Sequence, residues 1–365
     1  MAREFTKVGV VGLGTMGAGI AEVFARNGIA VVGIEQSADW LERGRDNLRR
    51  STDRAVSRGK LTRQGQQEIL GRILLTTDTN ALADVDLVVE AVPERLEIKQ
   101  EVFGALDEIC RADAVLATNT SSLPVTRIAI GSGQPGRVLG MHFFNPATVL
   151  RLVEVVSTAH TEAGLADDIA ALASRLGKVP VVVGDRAGFV ANALLFGYLN
   201  QAVKLAESGS AGYDAIDAAM TAGAGFPMGP FALLDLIGLD TAQEILLTMH
   251  ADTGDDRHDP AASLRALVEA GRLGRKTGQG FFRYEKPGSG RRTDLAAGEP
   301  DGAAQQEIVE TLLYPHLVDA MRMRDSGYAT ATDIDNAMKY GCGYPKGPFE
   351  LIEEIGIEAV TAGER

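Results

Sequence analysis

Cysteine, histidine and long apolar runs are all scarce in this chain of 365 residues. The two cysteines, Cys110 and Cys342, are far apart in sequence, which argues against a disulfide framework or a thiolate metal site. The five histidines show no metal-ligand spacing, so no metal is expected. No apolar run is long enough to cross a bilayer, and the first residues lack the basic-then-apolar layout of a signal peptide. A cytoplasmic, non-membrane protein is the simplest expectation.

Basic side chains are also in deficit, with 36 Lys and Arg against 49 Asp and Glu and a net charge of -13. This balance argues against nucleic acid or an anionic membrane as the main partner. Residues 43–63 depart from it, because they are predominantly basic and so indicate a small polyanionic ligand. Within them Arg50, Arg54 and Arg58 are spaced by four and would share one helix face. A solvated helix face is the alternative interpretation.

Apolar runs alternate with helix-like segments in the first half of the chain. Strands are predicted at residues 7–12, 30–35, 85–92, 114–119, 137–143, 152–156 and 179–184, with helices over 15–27 and 162–176. Such alternation indicates a Rossmann-type, doubly wound parallel sheet covered by helices on both faces. The fold class is therefore α/β in this half.

The sequence pattern changes after Gly184, where long Ala- and Leu-rich helical segments replace the strands. An internal repeat lies there: AIDAAMTAGAGFPMGPFALLDLIG from Ala215 matches DIDNAMKYGCGYPKGPFELIEEIG from Asp333 at a constant offset of 118. Two copies are too few for a solenoid, but they could pack face to face as a pseudo-dimer. The predicted domains are a Rossmann domain (1–184), a helical substrate or dimerisation domain (185–284), a linker (285–303) and a second, shortened helical repeat (304–365).

A glycine motif, Gly12-Leu13-Gly14-Thr15-Met16-Gly17, follows the first predicted strand and opens the first helix. The glycines permit a tight turn and close approach of the backbone to a pyrophosphate, and the helix N-terminus supplies amide donors. Glu35 ends the second strand, where a carboxylate can bind both ribose hydroxyls and would repel a 2′-phosphate. NAD is therefore the expected cofactor. The alternative is a glycine-rich turn that binds no ligand.

A histidine and a glutamate stand out in the strand pattern that follows. His142 ends the strand predicted at 137–143, at the edge where open α/β sheets bind ligands. Glu154 lies inside an apolar run, where a carboxylate is costly to bury unless it is paired. A His–Glu pair would remove that cost. The alternative is a solvent-facing Glu and a His that caps a strand, because such pairs are often structural.

Together, these motifs resemble the L-3-hydroxyacyl-CoA dehydrogenase family, which includes the 3-hydroxybutyryl-CoA dehydrogenases. The motifs are GLGTMG from Gly12, NTSSL from Asn119, HFFNPATVLRLVEVV from His142 and GFVAN from Gly188. The resemblance runs over nearly the whole chain. It implies an all-α C-terminal region like that of 6-phosphogluconate dehydrogenase. It also implies NAD-dependent oxidation of an L-3-hydroxyacyl-CoA, or the reverse reduction, with a short substrate such as 3-hydroxybutyryl-CoA favoured.

The resemblance also implies roles for single residues. His142 would be the general base, which suits an imidazole near neutral pH, and Glu154 would orient it. Ser121 and Asn192 would hold the reacting end of the substrate. Arg50 and Arg54 would bind the phosphates of CoA. Further cofactor contacts would come from Glu94, Lys99, Ser121, Asn145 and Lys276.

Other interpretations stay open at this point. A related β-hydroxyacid or sugar-acid dehydrogenase would share the fold without using CoA, and a non-catalytic NAD-binding protein would keep only the cofactor site. In relatives with one helical copy, that domain mediates dimerisation. The second copy here allows either a homodimer or a pseudo-dimeric monomer.

Overall fold

The structure, a computed structural model, describes residues 3–294 and 302–362. Its chain divides into two compact units, with the division between Phe189 and Val190. The boundary predicted from the sequence lies five residues earlier, after Gly184. Part of the expected linker, residues 295–301, lies outside the described residues.

The first unit is built on one eight-stranded sheet with the order β3-β2-β1-β4-β5-β6-β7-β8. The strands are β1 (Lys7–Val11), β2 (Ala30–Ile34), β3 (Ile73–Thr76), β4 (Leu87–Glu90), β5 (Val115–Thr118), β6 (Val138–Phe143), β7 (Leu152–Ser157) and β8 (Val179–Gly184). All neighbouring strands are parallel except β6 and β7. The Rossmann-type sheet predicted from the sequence is confirmed.

Six helices accompany this sheet. They are α1 (Thr15–Arg26), α2 (Ala38–Ser57), α3 (Arg63–Gly71), α4 (Leu96–Ile109), α5 (Val125–Ala129) and α6 (Leu165–Arg175), with 3₁₀ turns at Thr79–Leu82 and Pro135–Arg137. Two separate apolar clusters form against the sheet: one includes side chains of α1, α3 and α6, the other side chains of α4 and α5. The sheet is therefore buried from both sides, as its continuous apolar strands require.

The pairing of β6 with β7 corrects the expectation of a wholly parallel sheet. These strands run antiparallel, with Gly140 opposite Val156 and His142 opposite Glu154. Only residues 144–151 connect them, which is shorter than the dozen or so residues that a parallel crossover needs. The connection length therefore forces the chain to turn back on itself.

The second unit is helical, as predicted, with three isolated β-bridges among residues 274–292. Its helices are α7 (Ala191–Glu207), α8 (Tyr213–Ala218), α9 (Pro230–Ile237), α10 (Leu239–Thr253), α11 (Ala262–Glu269), α12 (Gly302–Asp325), α13 (Ala331–Cys342), α14 (Pro348–Ile355) and α15 (Ile357–Ala362). A π-helical turn at Ala219–Gly223 extends α8, and 3₁₀ turns lie at Asp256–His258 and Arg275–Thr277.

The two copies of the repeat have the same local structure. In the first copy the backbone amide of Phe231, at the start of α9, donates to the carboxylate of Asp217 at 2.8 Å. In the second copy the amide of Phe349, at the start of α14, donates to Asp335 at 2.7 Å. Each aspartate therefore satisfies an amide that the helix itself leaves without a partner.

Equivalent aromatic side chains of the two copies contact each other. Tyr198 lies 5.6 Å from His316, and Phe226 lies 4.4 Å from Tyr344, measured between ring centroids. Both pairs are separated by the repeat offset of 118. Contact between a residue and its own counterpart is the property of a two-fold interface. The copies therefore pack face to face within one chain, in the arrangement that the repeat allowed.

The imidazole in this ring cluster gives a prediction for stability. Burial lowers the pKa of His316 to about 4, whereas an unfolded histidine titrates near 6.5. Below about pH 6.5 the unfolded chain therefore binds a proton at this histidine, whereas the folded chain does not bind it until about pH 4. The free energy of unfolding should fall by about 2 kcal/mol between pH 7 and pH 5 from this group alone.

Replacing His316 with Phe should remove that part of the pH dependence, as measured by urea denaturation at the two pH values. Replacing His160, which is exposed, with Phe is the matched control and should leave the pH dependence as in the wild type. If the His316→Phe variant lost as much stability at pH 5 as the wild type does, this account of His316 would be wrong.

Candidate active site

The loop between β1 and α1 carries the glycine motif. A Cβ on Gly12, whose φ is +86°, would lie 2.7 Å from the carbonyl oxygen of Ala91, and a Cβ on Gly17 would lie 1.8 Å from the carbonyl oxygen of Gly12. Gly14 differs, because no atom beyond its chain neighbours lies within 4 Å of its Cβ position, and it begins α1 without any side-chain cap. Open space before uncapped helix amides fits a pyrophosphate.

The carboxylate of Glu35, just after β2, is tied to this loop. The amide of Leu13 donates to Glu35 Oε1 at 2.6 Å. Leu13 itself is buried, whereas Thr15 is exposed and Met16 is half-buried. The carboxylate therefore stands beside the glycine loop at the end of the second strand, where Rossmann folds bind a ribose.

One face of α2, together with its C-cap residue Arg58, carries the predicted anion-binding arginines. Arg50, Arg54 and Arg58 are exposed, and none of them forms an ion pair with a carboxylate within the described ranges. Arg50 donates to Asn47 Oδ1 at 2.6 Å, and Asn47 Nδ2 donates to the carbonyl of Leu13 at 3.1 Å. The basic face is thus open to an anion and is joined at one end to the glycine loop.

His142 and Glu154 form a buried pair across β6 and β7. They are directly opposite in the antiparallel register, and His142 Nδ1 lies 2.8 Å from Glu154 Oε2. His142 is 5% exposed and Glu154 is 0% exposed. In the tautomer that donates from Nδ1 to this carboxylate, Nε2 is the ring nitrogen left to receive a proton from a ligand.

Two phenylalanine rings flank the imidazole of His142. Phe144 lies 4.3 Å and Phe189 lies 5.7 Å from it, between ring centroids. Phe189 has φ +45°, the only positive φ of a non-glycine residue within the described part of the chain. Such a conformation costs energy and persists only where the surroundings fix it. Phe189 was not predicted as a site residue, because the sequence does not show which backbone angle a residue adopts.

Ser121 lies in the turn after β5, and Glu94 holds that turn. Glu94 Oε1 accepts hydrogen bonds from the amides of Ser121 at 2.9 Å and Ser122 at 3.2 Å, and from Thr120 Oγ at 2.6 Å. Burial raises the pKa of Glu94, but the Lys99 ammonium and these donors outweigh it, so its pKa lies below the usual range. Glu94 is therefore an acceptor at neutral pH, as its contacts require.

Two further contacts tie the Ser121 turn to the rest of the unit. Asn119 Oδ1 accepts from the amide of Phe143, next to His142, at 2.8 Å. Asp185 accepts from the amides of Val125 at 3.0 Å and Thr126 at 2.6 Å, at the start of α5. Sequence reasoning missed Asn119 and Asp185, although both lie in or beside quoted motifs.

Lys99, predicted as a cofactor contact, is 1% exposed. Its Nζ lies 2.7 Å from Glu90 Oε1 and 3.3 Å from Glu94 Oε2. Glu90 ends β4 and is 0% exposed. Sequence reasoning missed it, although the signal was the one that identified Glu154: a carboxylate inside an apolar run.

The remaining predicted residues lie elsewhere. Asn145 is exposed and joined to Pro146 by a cis peptide bond. In the second unit, Asn192 stands in the first turn of α7 with 8% exposure. Lys276, also in that unit, bonds both carboxylate oxygens of Asp240, at 2.5 and 2.6 Å. The first unit thus brings together His142 with Glu154, Ser121 with Glu94 and Lys99, and Glu35 with Leu13.

Some features that would indicate other functions are absent from residues 3–294 and 302–362. No helix there has the length and apolar composition needed to cross a membrane. No group of three or more His, Cys, Asp or Glu side chains there is arranged to hold a metal ion. Burial raises the pKa of the Cys110 thiol to about 11, so it is not a reactive nucleophile.

Comparison with known proteins identifies the family of this chain. Residues 7–186 match the model of the 3-hydroxyacyl-CoA dehydrogenase NAD binding domain, and residues 188–284 and 308–364 match its C-terminal domain. The 3-hydroxybutyryl-CoA dehydrogenase of Mycobacterium tuberculosis is 46% identical over 286 residues, which cover 78% of this chain and 100% of that protein.

Two Escherichia coli K12 proteins extend the comparison. The 3-hydroxyadipyl-CoA dehydrogenase is 43% identical over 75% of this chain and 58% of its own length. A crystal structure of 3-hydroxybutyryl-CoA dehydrogenase superposes with a TM-score of 0.88 at 32% identity, covering 98% of this chain and 93% of that one. The chain therefore belongs to the 3-hydroxyacyl-CoA dehydrogenase family.

Proposed function

We propose that this NAD-dependent 3-hydroxyacyl-CoA dehydrogenase acts on a short acyl chain and uses His142 as its general acid–base. The observation that carries the proposal is the buried 2.8 Å contact between His142 Nδ1 and Glu154 Oε2. The relative from M. tuberculosis, named for 3-hydroxybutyryl-CoA, supports the short chain.

In the oxidation, Nε2 of His142 accepts the proton of the substrate 3-hydroxyl group. Glu154 holds Nδ1 protonated and stabilises the imidazolium that results. In the reduction, Nε2 returns a proton to the oxygen on C3. When bound, NAD supplies the hydride acceptor for oxidation and NADH the donor for reduction.

Ser121 and Asn192 position the substrate in this account. The Ser121 hydroxyl, on a turn fixed by Glu94, would hydrogen-bond the 3-oxygen or the thioester oxygen. The amide of Asn192 would bind the same end of the substrate. Positioning of this kind contributes heavily to rate, because it replaces a bimolecular encounter with a prepared geometry.

The cofactor would be held at the glycine loop. The amides at the start of α1 would bind the pyrophosphate, and Glu35 would bind the ribose hydroxyls and disfavour NADP. Near the nicotinamide the contacts would come from Ser121, Asn145 and, from the second unit, Lys276, and Glu94 and Lys99 would act there by holding the Ser121 turn.

CoA would be bound through its phosphates by Arg50 and Arg54. Their exposure and their lack of carboxylate partners among the described residues leave them available to the several phosphates of CoA, whereas a free hydroxy acid offers a single carboxylate. This observation favours a CoA substrate over the CoA-free dehydrogenase that the sequence left open.

Initial rates with a panel of substrates test the proposal. We expect the highest kcat/KM for acetoacetyl-CoA with NADH, and lower values for longer or dicarboxylic 3-oxoacyl-CoAs and for NADPH. Equal rates with free acetoacetate would favour the CoA-free alternative. A dicarboxylic 3-oxoacyl-CoA as the best substrate would overturn the short-chain assignment.

The internal packing of the two repeats bears on assembly. Because each copy covers the other around Tyr198, Phe226, His316 and Tyr344, the chain would not need a second subunit to bury this face. We therefore favour a pseudo-dimeric monomer in the cytoplasm over a homodimer. Light scattering should give a mass near 38.6 kDa, whereas twice that mass would indicate the homodimer.

A further inference from the structure

Glu90 is a buried carboxylate with every oxygen in use. Its Oε1 accepts hydrogen bonds from the amide of Val92 at 2.6 Å and from Lys99 Nζ at 2.7 Å, and its Oε2 accepts from Thr118 Oγ at 2.8 Å. A buried ion pair contributes little net stability, because desolvation offsets the attraction between the charges. Stability alone therefore does not account for this carboxylate.

Lys99 continues the contacts from Glu90 toward the Ser121 turn. Its side chain is 1% exposed, and its ammonium lies between Glu90 Oε1 and Glu94 Oε2, with the carbonyl of Val92 at 3.5 Å. The other oxygen of Glu94 accepts from the amide of Ser121 at 2.9 Å. An unbroken series of contacts thus runs from Glu90 through Lys99 and Glu94 to Ser121.

The balance of charge along this series gives Glu90 a specific effect. Lys99 is held by two carboxylates, and the nearer one is Glu90. If the charge of Glu90 were removed, the ammonium would be attracted by Glu94 alone. Glu94 would then be drawn toward Lys99 and away from the amides of Ser121 and Ser122, because one carboxylate group cannot optimise both sets of contacts.

We propose that Glu90 is a positioning residue for the reaction, which fixes Ser121 through Lys99 and Glu94. This rests on the proposed role of Ser121. Glu90 touches neither substrate nor cofactor in this account. It acts by sharing the electrostatic attraction of the Lys99 ammonium, so that Glu94 keeps its hydrogen bonds to the amides of the Ser121 turn.

The test is a set of four enzymes: wild type, Glu90→Gln, Ser121→Ala and the double variant, assayed with acetoacetyl-CoA and NADH. Glu90→Gln should lower kcat about ten- to hundredfold, because a displacement of about 1 Å at a positioning group has that order of effect. The kcat/KM of the double variant should lie within about twofold of that of Ser121→Ala, because the two changes remove one interaction.

Glu22→Gln is the matched control. Glu22 is also 0% exposed and paired with a cation, Arg26. It lies within α1, however, and takes no part in the series of contacts from Glu90 to Ser121. Its kcat should stay near the wild-type value. If Glu90→Gln does not fold, Thr118→Val replaces it in the same cycle, since it removes one hydrogen bond from Glu90 Oε2. A smaller loss, again absent in the Ser121→Ala background, is expected.

The outcomes separate the claims. An inactive wild type would contradict the proposed function itself, and wild-type kcat/KM in Ser121→Ala would remove the role on which Glu90 depends. If the wild type is active and Ser121→Ala is impaired, but the losses from Glu90→Gln and Ser121→Ala multiply in the double variant, the positioning role of Glu90 is overturned.

Discussion

In the His142→Gln variant, kcat for acetoacetyl-CoA reduction falls by about 10²- to 10⁴-fold, the range expected when a general acid–base is removed. Glutamine fills a similar volume and can still hydrogen-bond to Glu154. It cannot, however, exchange a proton with the substrate near neutral pH. The loss should therefore appear in kcat, measured from NADH consumption at saturating substrate.

Binding of NADH to this variant should be unchanged. The groups proposed to hold the dinucleotide are the amides at the start of α1 and the carboxylate of Glu35, and none of them contacts His142 among the hydrogen bonds of the first unit. Fluorescence titration with NADH provides the check. Retained acetoacetyl-CoA reduction by His142→Gln would remove the mechanism, whatever the binding result.

Replacing Glu154 with Gln should lower kcat by about 10²- to 10³-fold. The carboxylate accepts from His142 Nδ1 at 2.8 Å and so leaves Nε2 as the reacting nitrogen. A glutamine amide can donate instead, which would favour the other tautomer, and it cannot stabilise an imidazolium. In the analogous Ser–His–Asp arrangement, loss of the orienting carboxylate costs up to about 10⁴-fold.

The fold of Glu154→Gln should be intact, because the substitution removes a buried charge and almost no volume. A thermal unfolding curve shows whether it is. Glu22→Gln, with the same chemical change at an equally buried site, should retain the kcat of the wild type. Near-wild-type turnover by a folded Glu154→Gln enzyme would mean that the pair is structural.

Most of the sheet could be predicted from the sequence, because its inner strands are buried on both faces and read as continuous apolar runs. β3 could not be predicted, since it lies at the edge of the sheet and is not a continuous buried run: Leu74 is 56% exposed. Nothing in its pattern distinguishes it from the end of a helix. The apolar runs do not show whether two strands are parallel or antiparallel. The short connection at residues 144–151 was the signal that indicates the antiparallel pairing of β6 with β7.

Some residues of the candidate site could be predicted from the sequence and others could not. Glu154 was identified because a carboxylate in an apolar run needs a partner, and the register of β6 and β7 supplies His142. The same argument applied to Glu90, whose partner lies on a following helix and not on a strand. Phe189 left no sequence signal, because its relation to His142 depends on a backbone angle.

The kcat/KM of the His142→Gln, Glu154→Gln double variant, compared with that of each single variant, is the decisive measurement. If Glu154 acts only by orienting and stabilising His142, the double variant should be within about twofold of His142→Gln alone, because groups that act as a unit are strongly non-additive. A double variant slower than His142→Gln by the full factor lost in Glu154→Gln would show that the two residues act independently, and would contradict the dyad.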